Sequence, residues 1–237
     1  LRAIKIFDLD CSQIHHDTTT VTFCGKYGGW SATELLTHGH NKDHRPDLKQ
    51  LVLGLNVTAD GAVPISHQIY AGNQTDDRLH PANHKALQKL LERTDFIYVA
   101  DCKLATEENL QKLSAWHGRF VTVMPRTWKQ DEQFRESVRQ GKIRWRHIFS
   151  RKNHRRPESK RDRYYLAEGD YTTPQGYRLH WIRSTQKAEQ DAESRAQRIE
   201  RALEELREVQ TKINTYYLKQ KNQIVKRIAA VLKTYRC

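Results

Sequence analysis

The run Phe96-Ile97-Tyr98-Val99-Ala100-Asp101 constrains the chain more than any other segment. It is apolar at both alternating sets of positions and too short for a helix. It therefore reads as a strand covered on both faces. Such strands lie inside α/β sheets, whose sites form at the carboxyl ends of strands, where Asp101 stands. The flanking segments agree. His80 to Arg93 places Leu87, Leu90 and Leu91 at helical spacing. Thr106 opens a further helix, with Glu107 and Glu108 in its first turn and Leu110 and Leu113 on its inner face. Residues 119–124 (RFVTVM) form the next strand, ended by Pro125.

Upstream, residues 14–23 (IHHDTTTVTF) are β-branched and read as a strand. Residues 51–59 form a second, closed by the turn Asp60-Gly61, and residues 63–70 pair back as a hairpin. The order is three strands, helix, strand, helix, strand, which gives an α/β sheet of mixed direction.

Composition shifts after position 141. Lys142, Arg144, Arg146, Arg151, Lys152, Arg155, Arg156, Lys160, Arg161 and Arg163 are opposed only by Glu158 and Asp162. Trp145, His147, Phe149 and His154 are interleaved, and RYYLAEGDY and GYRLHWI read as two strands around the turn Thr172 to Gly176. From Gln186 to Tyr235 there is no Gly or Pro, and apolar or aromatic residues from Ile199 to Tyr235 recur mostly every three or four positions, with Gln210 and Gln220 interrupting the stripe. That is one long helix or a helical hairpin. Three segments follow: a core at 1–141, a basic β-rich insertion at 142–184 and a helical segment at 185–237.

The net charge of +13 favours polyanionic partners, nucleic acid above all because the cations cluster. A generally basic soluble protein is the plainer reading of charge alone. No apolar run approaches the length of a bilayer helix, and residues 1–10 lack a secretory pattern. Cys11, Cys24, Cys102 and Cys237 form no CxxC pair, which argues against structural zinc and a disulfide framework. Small buried thiols in a reducing cytoplasm are expected.

Two carboxylates stand out. Asp17 interrupts a strand, where Asp is disfavoured, and Asp101 ends the apolar run. Alone, Asp17 also fits a solvated edge and Asp101 a loop or helix start. Together, on strands this order can place side by side, they suit Mg²⁺ or Mn²⁺ and phosphodiester chemistry. Alternation puts His15 on the Asp17 face and His16 on the opposite one.

Three stretches resemble the DDE transposases of bacterial insertion sequences: HHDTTTVTFCG (15–25), HGHNKDHRPDLKQLVLGL (38–55) and IYVADCKLATEENL (97–110), with GNQTDD (72–77) a weaker match. The resemblance covers most of the chain, and HNKDHRPDLKQ is its most distinctive part. It implies a ribonuclease-H-like fold whose domain is interrupted by the β-rich insertion. Asp17 and Asp101 become the first two catalytic acids and metal ligands. The implied activity is metal-dependent DNA strand cleavage and strand transfer during transposition, in a bacterial cytoplasm and at the nucleoid when bound to DNA. Double-stranded DNA, as transposon ends and target, is the implied partner, and a homodimer is compatible.

Lys42, Arg45, Lys49, Arg144, Arg146, Arg151, Lys152, Arg155 and Arg156 are candidate DNA contacts. The first three also fit a solvated face, with Asp43 and Asp47 as ion-pair partners, and the later block fits a basic loop. The family's third acid, a Glu in a Tyr-Arg-Glu-Lys pattern, has no counterpart here. Glu193, Glu200, Glu204 and Glu205 lie on a charge-rich helix and read as solvated. The third acid is expected beyond Cys237, the chain then being C-terminally truncated. Two rivals stay open: an inactive DNA-binding remnant, and a ribonuclease-H-like nuclease acting on RNA or hybrids.

Overall fold

The computed structural model describes residues 2–25, 35–40, 45–152, 161–215 and 218–235. It separates into two compact units, Leu1–Glu132 and Gln133–Cys237. In the first, in chain order, come α1 (Arg2–Ile6), β1 (Gln13–Phe23), β2 (Thr37–His38), β3 (Lys49–Thr58), β4 (Pro64–Ala71), α2 (Asp76–Leu91), β5 (Ile97–Ala100), α3 (Glu107–Ala115) and β6 (Arg119–Thr122). Helix α4 (Lys129–Arg139) spans the division.

The sheet runs β4-β3-β1-β5-β6, with the short β2 beside β4 along the same edge of β3. β1, β3 and β4 form an antiparallel meander, and β5 and β6 continue it parallel to β1. This is the mixed sheet with flanking helices that the ribonuclease-H-like reading requires. One face of β1 and β3 is inward: Ile14 and His16 on β1, and Gln50, Val52, Asn56 and Thr58 on β3, are all buried. Helix α2 lies over it with Leu79, His80, Asn83, His84 and Leu87 buried, a stripe at helical spacing. Phe96, Tyr98, Leu104, Leu110 and Leu113 complete the core. Large side chains of this kind contribute roughly 1.5–3 kcal/mol each on burial.

Helix α2 starts at Asp76, ahead of the expected His80, which moves Pro81 from the first turn into the helix interior. A proline has no N–H for the carbonyl four residues back. That carbonyl, Asp77 O, instead accepts from Asn109 Nδ2 of α3 at 2.7 Å. Helix α3 begins as expected, with Thr106 Oγ1 accepting from the Asn109 N–H.

Two backbones touch where β3 meets the end of β4. Gln50 Nε2 donates to the Gly72 carbonyl at 2.7 Å, and a Cβ on Gly72 would overlap the Gln50 carbonyl oxygen. Gly72→Ala must therefore push two strands apart. A loss of about 3 kcal/mol, the upper range for overpacking, is expected in urea unfolding of this unit. An unchanged midpoint would show that the edge yields freely.

The second unit holds β7 (Trp145–Lys152), β8 (Arg161–Ala167), β9 (Tyr171–Thr172), β10 (Arg178–Leu179), β11 (Ile182–Ser184), α5 (Thr185–Thr211) and α6 (Lys221–Tyr235). β7, β8 and β11 make an antiparallel sheet, and β9 and β10 a small hairpin. The two strands expected after residue 162 are thus four short ones, and β7 arises inside the basic run. Phe134 of α4 anchors this unit. It stacks on Trp181 at 4.0 Å and meets Trp145 and Tyr171 edge-on. The C-terminal segment is a hairpin rather than one helix. Ala202, Val209 and Val231 are buried in it, with Leu206, Leu218, Ile228 and Tyr235 packed around them.

Among the described cysteines Cys11 is buried, as expected, but Cys24 and Cys102 are exposed. Both stand just past a strand end, where the sheet no longer covers them. Cys237 lies outside the described residues. No helix among the described residues is long and apolar enough to cross a membrane.

Candidate metal and nucleic-acid sites

The parallel ladder of β1 and β5 pairs Gln13 with Ile97, Ile14 with Tyr98 and His15 with Val99. Asp17 and Asp101 each lie two residues beyond the last of these pairs, so both follow the face of His15 and Val99. Both carboxylates line one depression of about 380 Å³, with His15, Leu55, Val57 and Val99 among its walls. His16 is buried on the covered side. A somewhat larger depression of about 440 Å³ beside α1 sets the acids Asp8, Asp10 and Glu92 among the cations Lys5 and Arg93, so its carboxylates already have opposite charges in the same lining.

Local backbone fixes each acid. Asp17 Oδ1 accepts from the Thr18 N–H at 2.8 Å, and Asp101 Oδ1 accepts from the Lys103 N–H at 2.9 Å. Thr122 Oγ1 donates to the Asp101 carbonyl at 2.5 Å, tying the end of β5 to β6. Thr18 Oγ1 donates to Asp76 Oδ1 at 2.9 Å, tying β1 to the start of α2. Among the described residues neither Asp17 nor Asp101 makes an ion pair. Two like charges facing one partly apolar depression repel each other, and a hard divalent cation relieves that repulsion. The donor set therefore fits Mg²⁺ or Mn²⁺. It is a set of two: among the described residues no three His, Cys, Asp or Glu side chains gather as a metal site. Glu193, Glu200 and Glu204 are exposed and Glu205 half-buried on α5, in the second unit.

Beneath Asp17 the sheet carries a polar layer that sequence reading passed over. His16 Nδ1 meets Asn56 Oδ1 at 3.0 Å, and Asn56 and Asn83 exchange two amide hydrogen bonds at 2.9 Å. Asn83 Nδ2 also donates to the Tyr98 hydroxyl at 3.0 Å, which lies 3.1 Å from His80 Nδ1. Burial lowers the basicity of His16, and pushes His80 and His84 down to about 4. The available signal was His80, Asn83, His84 and Leu87 at helical spacing, with polar residues in the core stripe.

The candidate DNA contacts divide. Arg45 is held by Asp47 through two hydrogen bonds of 2.8 and 2.7 Å, and this guanidinium keeps the Asp47 carboxyl below its usual range. Lys49 begins β3, and Lys42 lies outside the described residues. In the second unit Arg144, Arg146, Arg151 and Lys152 are exposed, and every residue of β7 after Trp145 is exposed. Phe149 stacks on Tyr164 at 4.3 Å between Arg146 and Arg151 along the chain. Arg155 and Arg156 lie outside the described residues.

No family model matches the chain. No curated protein matches it either. Among solved structures it is similar to a piggyBac transposase, seen by cryo-electron microscopy in a synaptic complex with hairpin DNA. The identity is 12% and the TM-score 0.40, over 72% of this chain and 32% of that one. A likeness so slight speaks to neither activity nor partner.

Proposed function

We propose that this chain carries the catalytic core of a DNA transposase of the DDE type, acting by metal-dependent cleavage and transfer of DNA strands. The observation that carries the reading is the placement of Asp17 and Asp101 in one depression at the carboxyl end of the parallel ladder. Asp17 and Asp101 would hold Mg²⁺ or Mn²⁺. Such an ion supplies activation of the attacking oxygen and neutralises charge on the phosphate. The Thr18 and Lys103 N–H groups orient the two carboxylates, and Leu55, Val57 and Val99 supply apolar lining beside them. Exposed Arg144, Arg146, Arg151 and Lys152 attract the DNA backbone, with Lys42, Lys49, Arg155 and Arg156 as further cations on the sequence. The resemblance around HNKDHRPDLKQ favours a bacterial insertion-sequence enzyme over a nuclease for RNA or hybrids.

A second reading has its own observation. With two gathered acids and no third among the described residues, the chain binds DNA without cutting it. Incubation of the 237-residue chain with supercoiled plasmid and Mg²⁺ separates the two. Nicking that EDTA stops supports the enzyme. Salt-sensitive binding without nicking supports the DNA-binding remnant, and absence of both removes DNA from the account.

A further inference from the structure

The ladder that brings Asp17 beside Asp101 is short. β1 and β5 share only three paired positions. Backbone pairing of that length fixes register weakly. A slip by one residue would turn one aspartate to the other face, and a slip by two would separate them along the strands. Apolar packing alone tolerates such shifts more readily than directional hydrogen bonds do.

The polar layer under the sheet is directional. His16 adjoins Asp17 in β1, Tyr98 lies three residues before Asp101 in β5, and Asn56 stands opposite His16 in β3. Asn83, fully buried on α2, bonds Asn56 and the Tyr98 hydroxyl at once. One amide thus links the strands on either side of β1, while Asn56 holds His16 of β1 itself. Moving β5 against β1 by a residue would break the Asn83–Tyr98 bond and strand polar atoms in the core.

We infer that Asn83, with Asn56 and Tyr98, is a positioning group that sets the register of β5 against β1 and so holds Asp17 and Asp101 at a common divalent-cation site. This inference rests on the metal-site reading proposed above. The three residues touch neither ion nor DNA and act through the strands. Groups bonded directly to metal ligands commonly change affinity by about 10–100-fold, and a shift in register, which displaces one ligand from the other, is expected to act on at least the lower end of that scale.

The test is an NMR titration of the 237-residue chain with MgCl₂, read at the amides of Thr18 and Lys103, the two N–H groups bonded to the carboxylates. Asn83→Leu is expected to weaken the Mg²⁺-dependent shifts at both amides by about tenfold or more in half-saturating concentration. Tyr98→Phe keeps the ring and loses only the hydroxyl, and it carries the same test should Asn83→Leu fail to fold. Leu113→Ala, a core truncation on α3 outside the layer, is expected to lose stability and keep wild-type Mg²⁺ affinity. Equal weakening by Leu113→Ala would mean general loosening of the fold and would overturn the positioning role. A wild-type chain that binds Mg²⁺, with Asn83→Leu and Tyr98→Phe matching it, overturns this inference alone. A wild-type chain with no Mg²⁺ response at Thr18 or Lys103 overturns the metal site and this inference together.

Discussion

Asp17→Ala is expected to reduce Mg²⁺-dependent DNA nicking by about a thousandfold or more while leaving DNA affinity within about twofold. A thousandfold is roughly 4 kcal/mol of barrier, the scale that charge stabilisation by a bound metal supplies. Asp17 is exposed, and among the described residues its carboxylate accepts only from the N–H of the next residue, so its removal leaves no buried group there unpaired. The loss should therefore appear in turnover and not in folding. Asp101→Ala is expected to match it, and the double variant should be little worse than either single one, because two ligands of one ion act as a unit. Thr19→Ala, on the same face of β1 but outside the depression, serves as the control. The measurement is plasmid nicking under single-turnover conditions, with binding followed separately at fixed salt. Nicking by Asp17→Ala at the wild-type rate would end the assignment of this carboxylate.

How far the sequence disclosed this molecule depended on how local the signal was. β1, β3 and β4 were legible because β-branched residues and the Asp60-Gly61 turn mark them without outside help. β5 was legible because both faces are apolar, and α3 because Thr106 caps it and acids fill its first turn. The start of α2 was missed because Pro81 looks like a boundary, and the compensating bond comes from Asn109 on another helix. Helix α4 offers only Phe134 and Val138 as apolar residues among charges, so it showed no stripe. β7 has no alternation to detect, since its residues after Trp145 are exposed on both faces. At the site, Asp17 and Asp101 could be named because a carboxylate in or ending a strand is conspicuous. Their shared face follows from a register of three pairs that no local rule supplies. The polar layer was hidden for the same reason: His16, Asn56, Asn83 and Tyr98 are distant in sequence and meet only once α2 lies on the sheet.

Lowering the pH from 7 to 4 is expected to destabilise the first unit by several kcal/mol, with the loss concentrated between pH 6.5 and 4. His80 and His84 are held neutral by burial, at about 4 against an ordinary value of 6.5. His16 is shifted the same way, also chiefly by burial. For His80 the nearby His16 adds to the effect, while Asp101, Asp76 and Asp77 oppose it. The unfolded chain takes up protons on these rings from about pH 6.5 downward, and the folded chain does so only near pH 4. Stability is therefore complete above pH 6.5 and falls as the pH drops through that window. At roughly 1.4 kcal/mol per pH unit, each of His80 and His84 accounts for on the order of 3 kcal/mol at the acid end. Hydrogen exchange at the amides of α2 and β5 would report it. His84→Leu isolates one ring. Among the described residues neither His84 nitrogen has a hydrogen-bond partner, and the ring lies against Phe96, Tyr98 and Trp116. Leucine of similar volume removes two unpaired polar atoms along with the titrating group. Stability at pH 7 should then hold or rise, and the acid loss should shrink by the His84 share. A variant with the wild-type pH profile would show that His84 is hydrated in solution and exempt from the cost of burial.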